Sequence, residues 1–316
     1  MTTFEPETMP VAYINAGSVD GWFNALREGL AAAGVDKLPP KLQELEDLWQ
    51  AVLRLSREPR PRDIAGRAAR QICREATVDT LDQIVEDAVQ PMLRAMVIDQ
   101  IMSSGYIFGN AGLPHRVRCA IADARPELIE LARPGFNRAR DELVKAAAKL
   151  PEGEAALDMD AVVEADASSA YLRARDALRD IRAIANLVGP VSPVAYEFNT
   201  YTHKPGVATL VKVVRLPRID VLYRNRMSTQ AYNPPDSLAR RRTYNQLFQG
   251  VEDGEISVDL ALVSIARGDY PGAELDLATR DELPQRARWA MNSMVVEYVD
   301  DERHAQTKIA EHAQLW

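Results

Sequence analysis

The stretch Asp160–Val188, DAVVEADASSAYLRARDALRDIRAIANLV, decides the fold class of this 316-residue chain. Its apolar residues recur at three- and four-residue steps over about eight turns, the period of an amphipathic helix. Small side chains along this stripe permit a closely packed antiparallel neighbour, and Gly189-Pro190 is a typical helix end. The sequence therefore predicts one helix from Asp160 to Val188. The predicted buried stripe consists of Val163, Ala167, Ala170, Ala174, Leu178, Ile181, Ala185 and Val188.

Toward the N-terminus, similar periodicity predicts more helices. Asp20 is expected to cap a short first helix, and a second follows Pro39-Pro40. A third is predicted from about Arg62 to Glu75. Residues 1–19 lack helical periodicity, which indicates an extended arm.

The fourth predicted helix extends from Thr80 to Met102, with a kink expected at Pro91. Breaks are expected in the following helical region at Pro126 and at Pro134-Gly135. The predicted buried stripe of the fourth helix consists of Leu81, Ile84, Val85, Ala88, Met92 and Met96.

After residue 190 the pattern changes to alternation of apolar and polar or small residues. It occurs over residues 194–200 and 207–213, separated by a Pro-Gly turn signal at 205–206. This pattern predicts a β-hairpin, with a third strand at Ile219–Tyr223. Helices are expected to resume at Asp236–Gln249 and Ser257–Ala266, followed by a long one at about Leu283–Glu311.

These elements predict a mainly α fold, a helix-rich body with a small antiparallel β-hairpin element in the middle-to-C-terminal part. Four segments are expected. They are an extended N-terminal arm (1–19), a helical domain (20–189), a β-hairpin and basic segment (190–250) and an acidic helical C-terminal segment (251–316).

Charge is segregated along the chain, whose formal net charge is −8. The segment 204–242, here called the basic island, holds nine basic and two acidic residues. Residues 251–302 of the C-terminal segment, here called the acidic segment, hold thirteen acidic and four basic residues. The candidate interaction residues of the basic island are Lys204, Lys212, Arg215, Arg218, Arg224, Arg226, Arg240, Arg241 and Arg242.

The basic island has three interpretations. It meets acidic protein surface, either the acidic segment of the same molecule or that of another copy. It contacts nucleic acid, with neighbouring tyrosines for base stacking. Or its charges are dispersed over a solvated surface. The first interpretation is favoured, because the basic and acidic stretches are adjacent and similar in size, and because nucleic-acid-binding domains are usually basic overall.

The sequence lacks the motifs of the common catalytic and cofactor sites. There is no P-loop, dinucleotide-binding glycine motif, nucleophile elbow, HExxH or EF-hand loop. His115 and Cys119 share a helical face, but no second ligand pair lies near them. Glu297, Asp301 and His304 could face one direction on a helix, yet no matching motif appears elsewhere. No cofactor, metal or catalytic residue is therefore predicted.

Compartment and membrane association are also constrained. The N-terminus has no basic start and no apolar stretch typical of a secretory signal, and no apolar run approaches the length of a membrane span. The two cysteines form no disulfide framework. We expect a cytoplasmic protein, or one within an intracellularly assembled particle, with no membrane partner.

The resulting hypothesis is a non-enzymatic helical interaction protein that self-associates or docks into a larger protein complex, such as a particle or shell. Its partners would be copies of itself or an acidic protein. The alternative is a nucleic-acid-binding protein that uses the basic island. A second alternative is an enzyme with an unrecognised site.

Overall fold

The structure, a computed structural model, describes residues 16–109, 111–189, 205–228 and 230–314. Helices dominate, and the fold class is confirmed as mainly α with a small antiparallel sheet in the C-terminal half. The helices are α1 (Ala16–Ala32), α2 (Pro40–Ser56), α3 (Pro61–Glu75), α4 (Leu81–Ser103), α5 (Leu113–Ala147), α6 (Met159–Glu164), α7 (Ser168–Val188), α8 (Pro205–Val213), α9 (Pro235–Asp253), α10 (Val258–Arg267), α11 (Leu283–Met294) and α12 (Glu302–Gln314). The strands are β1 (Val214–Arg215), β2 (Leu222–Asn225), β3 (Glu274–Leu275) and β4 (Val296–Val299).

The chain divides into two compact units. The first contains Leu38–Ala124 together with the N-terminal part as far as Asn24. The second contains Ala25–Lys37 and the chain from Arg125 onward. Helices α2, α3 and α4 therefore belong to the first unit, and α6 to α12 belong to the second.

In the first unit, proline sets the start of two helices. Pro40 and Pro61 occupy the first turns of α2 and α3, where a missing N–H costs no helical hydrogen bond. The fully buried Trp49 of α2 donates from Nε1 to Asp20 Oδ1 at 2.9 Å. Asp20 lies inside α1 rather than capping it, and α1 already includes residues 16–19 of the predicted arm. Residues 1–15 of that arm lie outside the described residues.

In the second unit, the predicted helix Asp160–Val188 is in fact two helices, α6 and α7. They are separated at Asp166, whose φ of 53° lies in the left-handed region and interrupts helical hydrogen bonding. Val163 lies on the short α6 and is exposed, so its predicted burial is wrong. Every other residue of the predicted stripe, from Ala167 to Val188, is buried.

The predicted breaks at Pro126 and Pro134-Gly135 are also wrong, because α5 continues through both prolines. Each proline removes one backbone donor from the helix. Leu128 and Phe136 on the same helix are fully buried, and this packing outweighs the lost hydrogen bonds.

The predicted strand at 207–213 is helical, since these residues belong to α8. The proposed partner strand, residues 194–200, falls outside the described residues. Val207, Leu210, Val211 and Val213 are each fully buried, and α8 packs against α7, α9, α10 and α11. A helix that is apolar on nearly every side has no polar face, so its sequence shows no helical period. Such helices are typically buried.

The antiparallel sheet lies next to α8 but joins distant segments, because β1 pairs with β3 at Val214↔Leu275. The predicted strand at Ile219–Tyr223 is realised as β2, which begins three residues later. It pairs in parallel with β4. The predicted long helix at Leu283–Glu311 is therefore wrong, since β4 separates α11 from α12. The β-branched Val296 and Val299 suit this strand pairing.

Candidate interaction surfaces

The structure divides the basic island into residues that meet carboxylates, residues that enter the interior and residues that stay exposed. Lys204 lies outside the described residues. The other eight lie on α8, β1, β2, α9 and the segments beside the strands.

Two arginines of the basic island meet the acidic segment within the same chain. Arg215 Nη2 lies 3.2 Å from Asp276 Oδ2, and its Nη1 lies 3.9 Å from Glu274. Arg226 Nε lies 3.5 Å from Asp300 Oδ1. Both contacts follow from strand pairing, since β1 lies beside β3 and β2 beside β4. Part of the island thus meets acidic surface inside one molecule, one of the two forms that the charge pattern allowed.

Arg218 pairs locally instead, because its Nε donates to Asp220 Oδ1 at 2.9 Å. Arg241 enters the interior, where its Nη2 donates to the Val295 carbonyl at 2.7 Å. Burial lowers the pKa of the Arg241 guanidinium, and the positive charge of Arg224 lowers it further. Arg241 thus joins α9 to the segment between α11 and β4, a structural role.

Three exposed guanidinium groups of the island remain, those of Arg224, Arg240 and Arg242. Arg240 Nη1 donates to the Arg218 carbonyl at 3.2 Å. Arg224 and Arg242 form no ion pair with any residue that the structure describes. Five of the eight described members of the island are therefore exposed, and two of these, Arg215 and Arg226, lie beside carboxylates.

The structure places the two histidine-containing arrangements considered from the sequence differently. Cys119 Sγ lies 3.5 Å from His115 Nε2, so the predicted shared face exists on α5. Glu297 lies on β4 and pairs with Lys308 at 2.7 Å, whereas His304 lies on α12, so the idea of one continuous helix is wrong. Within the described ranges, no group of three or more His, Cys, Asp or Glu side chains could hold a metal ion.

Helix α4 presents a surface that the charge analysis did not single out. Six large apolar side chains repeat every four residues along it, and each is 37–59% exposed. We call this row the α4 ridge: Leu81, Val85, Val89, Leu93, Val97 and Ile101. The ridge extends about 30 Å at 1.5 Å per residue.

The opposite side of α4 packs within the first unit, chiefly against α3. Ala95 is the single buried residue of α4, while Ile84, Ala88 and Met92 are half-buried. Three of the six residues in the predicted buried stripe, Leu81, Val85 and Met96, are exposed, so that prediction is half wrong. The helix has two apolar sides, and its neighbours in the described structure cover only one.

Charged side chains border the α4 ridge. The adjoining row on its solvent side contains Asp82, Glu86, Gln90 and Arg94. Arg94 donates to both carboxylate oxygens of Glu58, at 3.0 and 2.7 Å. An apolar strip with a polar border is typical of a protein-binding surface.

The α4 ridge has a sequence signal that could have revealed it. A strict four-residue repeat over six positions is wider than the single stripe needed to pack one helix against a core. The pattern could not show which apolar side faces α3. Packing against α3 decides which apolar side of α4 is buried, and the periodicity of the sequence does not encode that packing.

No protein-family model, curated protein or solved structure matches the chain. No helix in the described part of the chain combines the length and apolarity needed to cross a membrane.

Proposed function

We propose that the chain is a non-enzymatic interaction protein that self-associates through the α4 ridge and takes part in a larger protein assembly. The observation that carries this proposal is the row of six apolar side chains left exposed at four-residue steps. Contiguous exposed apolar surface with a polar border marks interaction sites on soluble proteins.

The spacing favours a helix of a second copy as the occupant. Rows at four-residue steps form the ridges that interdigitate when two helices cross at about −50°. At the middle of the α4 ridge, Val89 and Leu93 are apolar side chains of similar size. A two-fold contact centred between them would bring Val89 of one copy against Leu93 of the other, the self-complementarity that such a contact requires.

The interaction test compares two matched variants. Leu93→Glu places a carboxylate at the centre of the α4 ridge, where the two-fold axis would bring it close to its own copy. Leu172→Glu makes the same change on α7, where Leu172 is 46% exposed compared with 49% for Leu93. Molar mass is measured by analytical ultracentrifugation over a concentration series, and circular dichroism establishes that both variants fold.

We expect the wild type and Leu172→Glu to dimerise with rising concentration and Leu93→Glu to stay monomeric. A monomeric wild type at high concentration would contradict the proposal, as would a dimer that Leu93→Glu leaves intact.

The proposal places the protein in a reducing, cytoplasmic-type compartment. Cys73 and Cys119 are both free and exposed, and exposed thiols persist where disulfides do not form.

A further inference from the structure

A cleft in the first unit is lined by α2 and the first turns of α5. Its volume is about 580 Å³, a size typical of small-molecule binding sites. Cys119 and His115 of α5 lie in its wall. Cys119 is exposed and His115 is half-buried, so both are accessible from solvent. The cleft therefore places a thiol where a small molecule can meet it.

The thiol of Cys119 is hydrogen-bonded to an oriented histidine. Its Sγ lies 3.5 Å from Nε2 of His115, and Nδ1 of the same ring lies 3.0 Å from Nη2 of Arg118. An arginine can only donate hydrogen bonds, so Nδ1 accepts and the ring carries its proton on Nε2. The Nε2–H group therefore donates to the sulfur, and Arg118 fixes the imidazole in that orientation.

This arrangement suits a cysteine that reacts as the thiolate. The thiolate is the nucleophilic form of cysteine, and an N–H donor at the sulfur stabilises its negative charge. Reactive cysteines typically lie in partly exposed, positively charged surroundings, whereas structural cysteines are buried and inert. Arg118 and Arg116 supply positive charge beside Cys119. Packing alone does not account for an exposed thiol that an oriented donor contacts.

Cys73 provides a contrast within the same unit. It lies on α3 and is exposed, like Cys119. Its Sγ has no hydrogen-bond partner in the part of the chain that the structure describes. Arginines flank both cysteines in the sequence. The hydrogen bond from His115 and the cleft are therefore the features that distinguish Cys119 from Cys73.

A metal site is a weaker explanation of the pair. Zinc sites require more protein ligands than His115 and Cys119 supply. Among the described residues, no group of three or more His, Cys, Asp or Glu side chains could hold a metal ion. The acidic side chains of the cleft therefore do not complete a metal site with this pair.

The charges of the cleft indicate what kind of molecule it takes. Its lining includes two cationic and two anionic side chains, which offer partners for both a carboxylate and an amine. They are Lys41, Arg116, Glu44 and Asp123. None of the four forms an ion pair with a residue that the structure describes. Leu45 and Leu48 add apolar surface. An amino acid or a short peptide, which carries both charges, matches this lining.

We propose that Cys119 is a modification site that undergoes thiol–disulfide exchange with a small peptide disulfide bound in the cleft. Cys119 loses its proton to solvent, and the thiolate attacks one sulfur of the disulfide. A new S–S bond forms to that sulfur, the original S–S bond breaks, and the departing thiolate takes a proton from solvent. The peptide disulfide is the oxidant, and Cys119 is oxidised to a mixed disulfide. The site goes beyond the proposed self-association and does not depend on the α4 ridge.

The test follows modification of both cysteines in the wild-type protein by oxidised glutathione. Remaining thiols are trapped with an alkylating reagent, and peptide mass spectrometry separates Cys119 from Cys73. We expect Cys119 to react about tenfold faster than Cys73 or more, because an ordinary cysteine is mostly thiol at neutral pH. Bis(2-hydroxyethyl) disulfide, which carries no charge, forms the second arm. The preference for Cys119 should be smaller with this reagent, since it cannot use the charged walls of the cleft.

Two substitutions test the site itself. His115→Ala removes the oriented donor and should slow the reaction of Cys119 by roughly tenfold, the usual scale for a lost charge-assisted hydrogen bond. The rate at Cys73 should not change. Lys41→Gln should slow the reaction of Cys119 with oxidised glutathione and not with the uncharged disulfide. Circular dichroism establishes that each variant folds.

His304→Ala is the matched control, because it removes an exposed histidine of α12 in the second unit. It should leave the rates at both cysteines unchanged. Equal rates at Cys119 and Cys73 in the wild type would overturn the proposal without any substitution. A Cys119 rate that His115→Ala leaves intact, or that His304→Ala lowers equally, would overturn it as well.

Discussion

Helices α4 and α7 have similar apolar periodicity but differ in what covers it. Nine residues of α7 are buried, among them Leu178, Ile181 and Leu187. A single residue of α4, Ala95, is buried, and its row of large apolar side chains faces outward. Apolar periodicity thus reports that a helix has an apolar side, and it does not report whether the same chain supplies the partner.

The neighbours of the two helices explain the difference. α7 packs against α6, α8 and α10, and Gly29 lets the side chain of Leu187 lie directly on α1. α4 has α3 as its main neighbour and fewer contacts with α2. α4 is therefore covered chiefly on one side, and its second apolar side is exposed.

The largest expected effect is a difference in stability between two Ile→Ala substitutions, one in α7 and one in α4. Ile181→Ala empties a fully buried site on α7 and should lower the free energy of unfolding by about 2–5 kcal/mol. Ile101→Ala removes a half-exposed side chain from α4 and should cost less than about 1 kcal/mol in the monomer. Urea unfolding followed by circular dichroism at low protein concentration measures both. Equal losses would mean that the α4 ridge is covered within the monomer.

Two Gly→Ala substitutions, one in each unit, should change the free energy of unfolding in opposite directions. A Cβ at Gly135 of α5 would overlap the backbone of Ala33, so Gly135→Ala should destabilise by about 1–3 kcal/mol. At Gly66 of α3 the nearest atom is the tip of Arg70, at 3.9 Å. Gly66→Ala should therefore stabilise by roughly 0.5–1 kcal/mol through helix propensity. Shifts in the urea midpoint measure both, and a destabilising Gly66→Ala would show that α3 is as tightly packed as α5.

The smallest expected effect concerns the polar border of the α4 ridge. The hydrogen bond from Arg94 lowers the pKa of the Glu58 carboxyl below its ordinary value of 4.5. The pair therefore contributes stability above that pH, and the contribution is lost as the pH falls through the folded-state pKa. The difference in urea midpoint between wild type and Glu58→Gln should be small at neutral pH and vanish in acid.

Glu86→Gln provides the control for that measurement, since Glu86 forms no ion pair with a described residue. A Glu58→Gln difference that grows on acidification would contradict the assigned role of the Arg94 contact.

Most helices could be predicted from local signals. α2, α3, α4, α9 and α10 lie close to their predicted positions, because prolines, caps and three- to four-residue spacing act within a few turns. Ser257 is one such signal, since its hydroxyl accepts a hydrogen bond from Leu260 N at the start of α10. The wrong predictions lie in segments where contacts with distant residues decide between a helix and a strand.

Helix α8 and strand β4 illustrate those errors. Val207, Val211 and Val213 fit a strand by alternation, yet four surrounding helices bury them in helical form. Val296–Val299 fits the interior of a long helix, yet β2, about seventy residues earlier, pairs with it. Side-chain packing and strand pairing override weak local preferences in both cases.

The candidate sites could also be predicted only in part from the sequence. The basic island was visible as composition, but strand pairing places Arg215 and Arg226 beside carboxylates and leaves other members exposed.

The sequence by itself determined that this protein is mainly helical, which helices are amphipathic and where its charges are concentrated. These properties depend on residues within a few turns of one another. Only the tertiary structure decided which apolar sides are covered and which arginines lie beside carboxylates. Those outcomes depend on contacts between residues far apart in the chain, whose closeness no local pattern encodes.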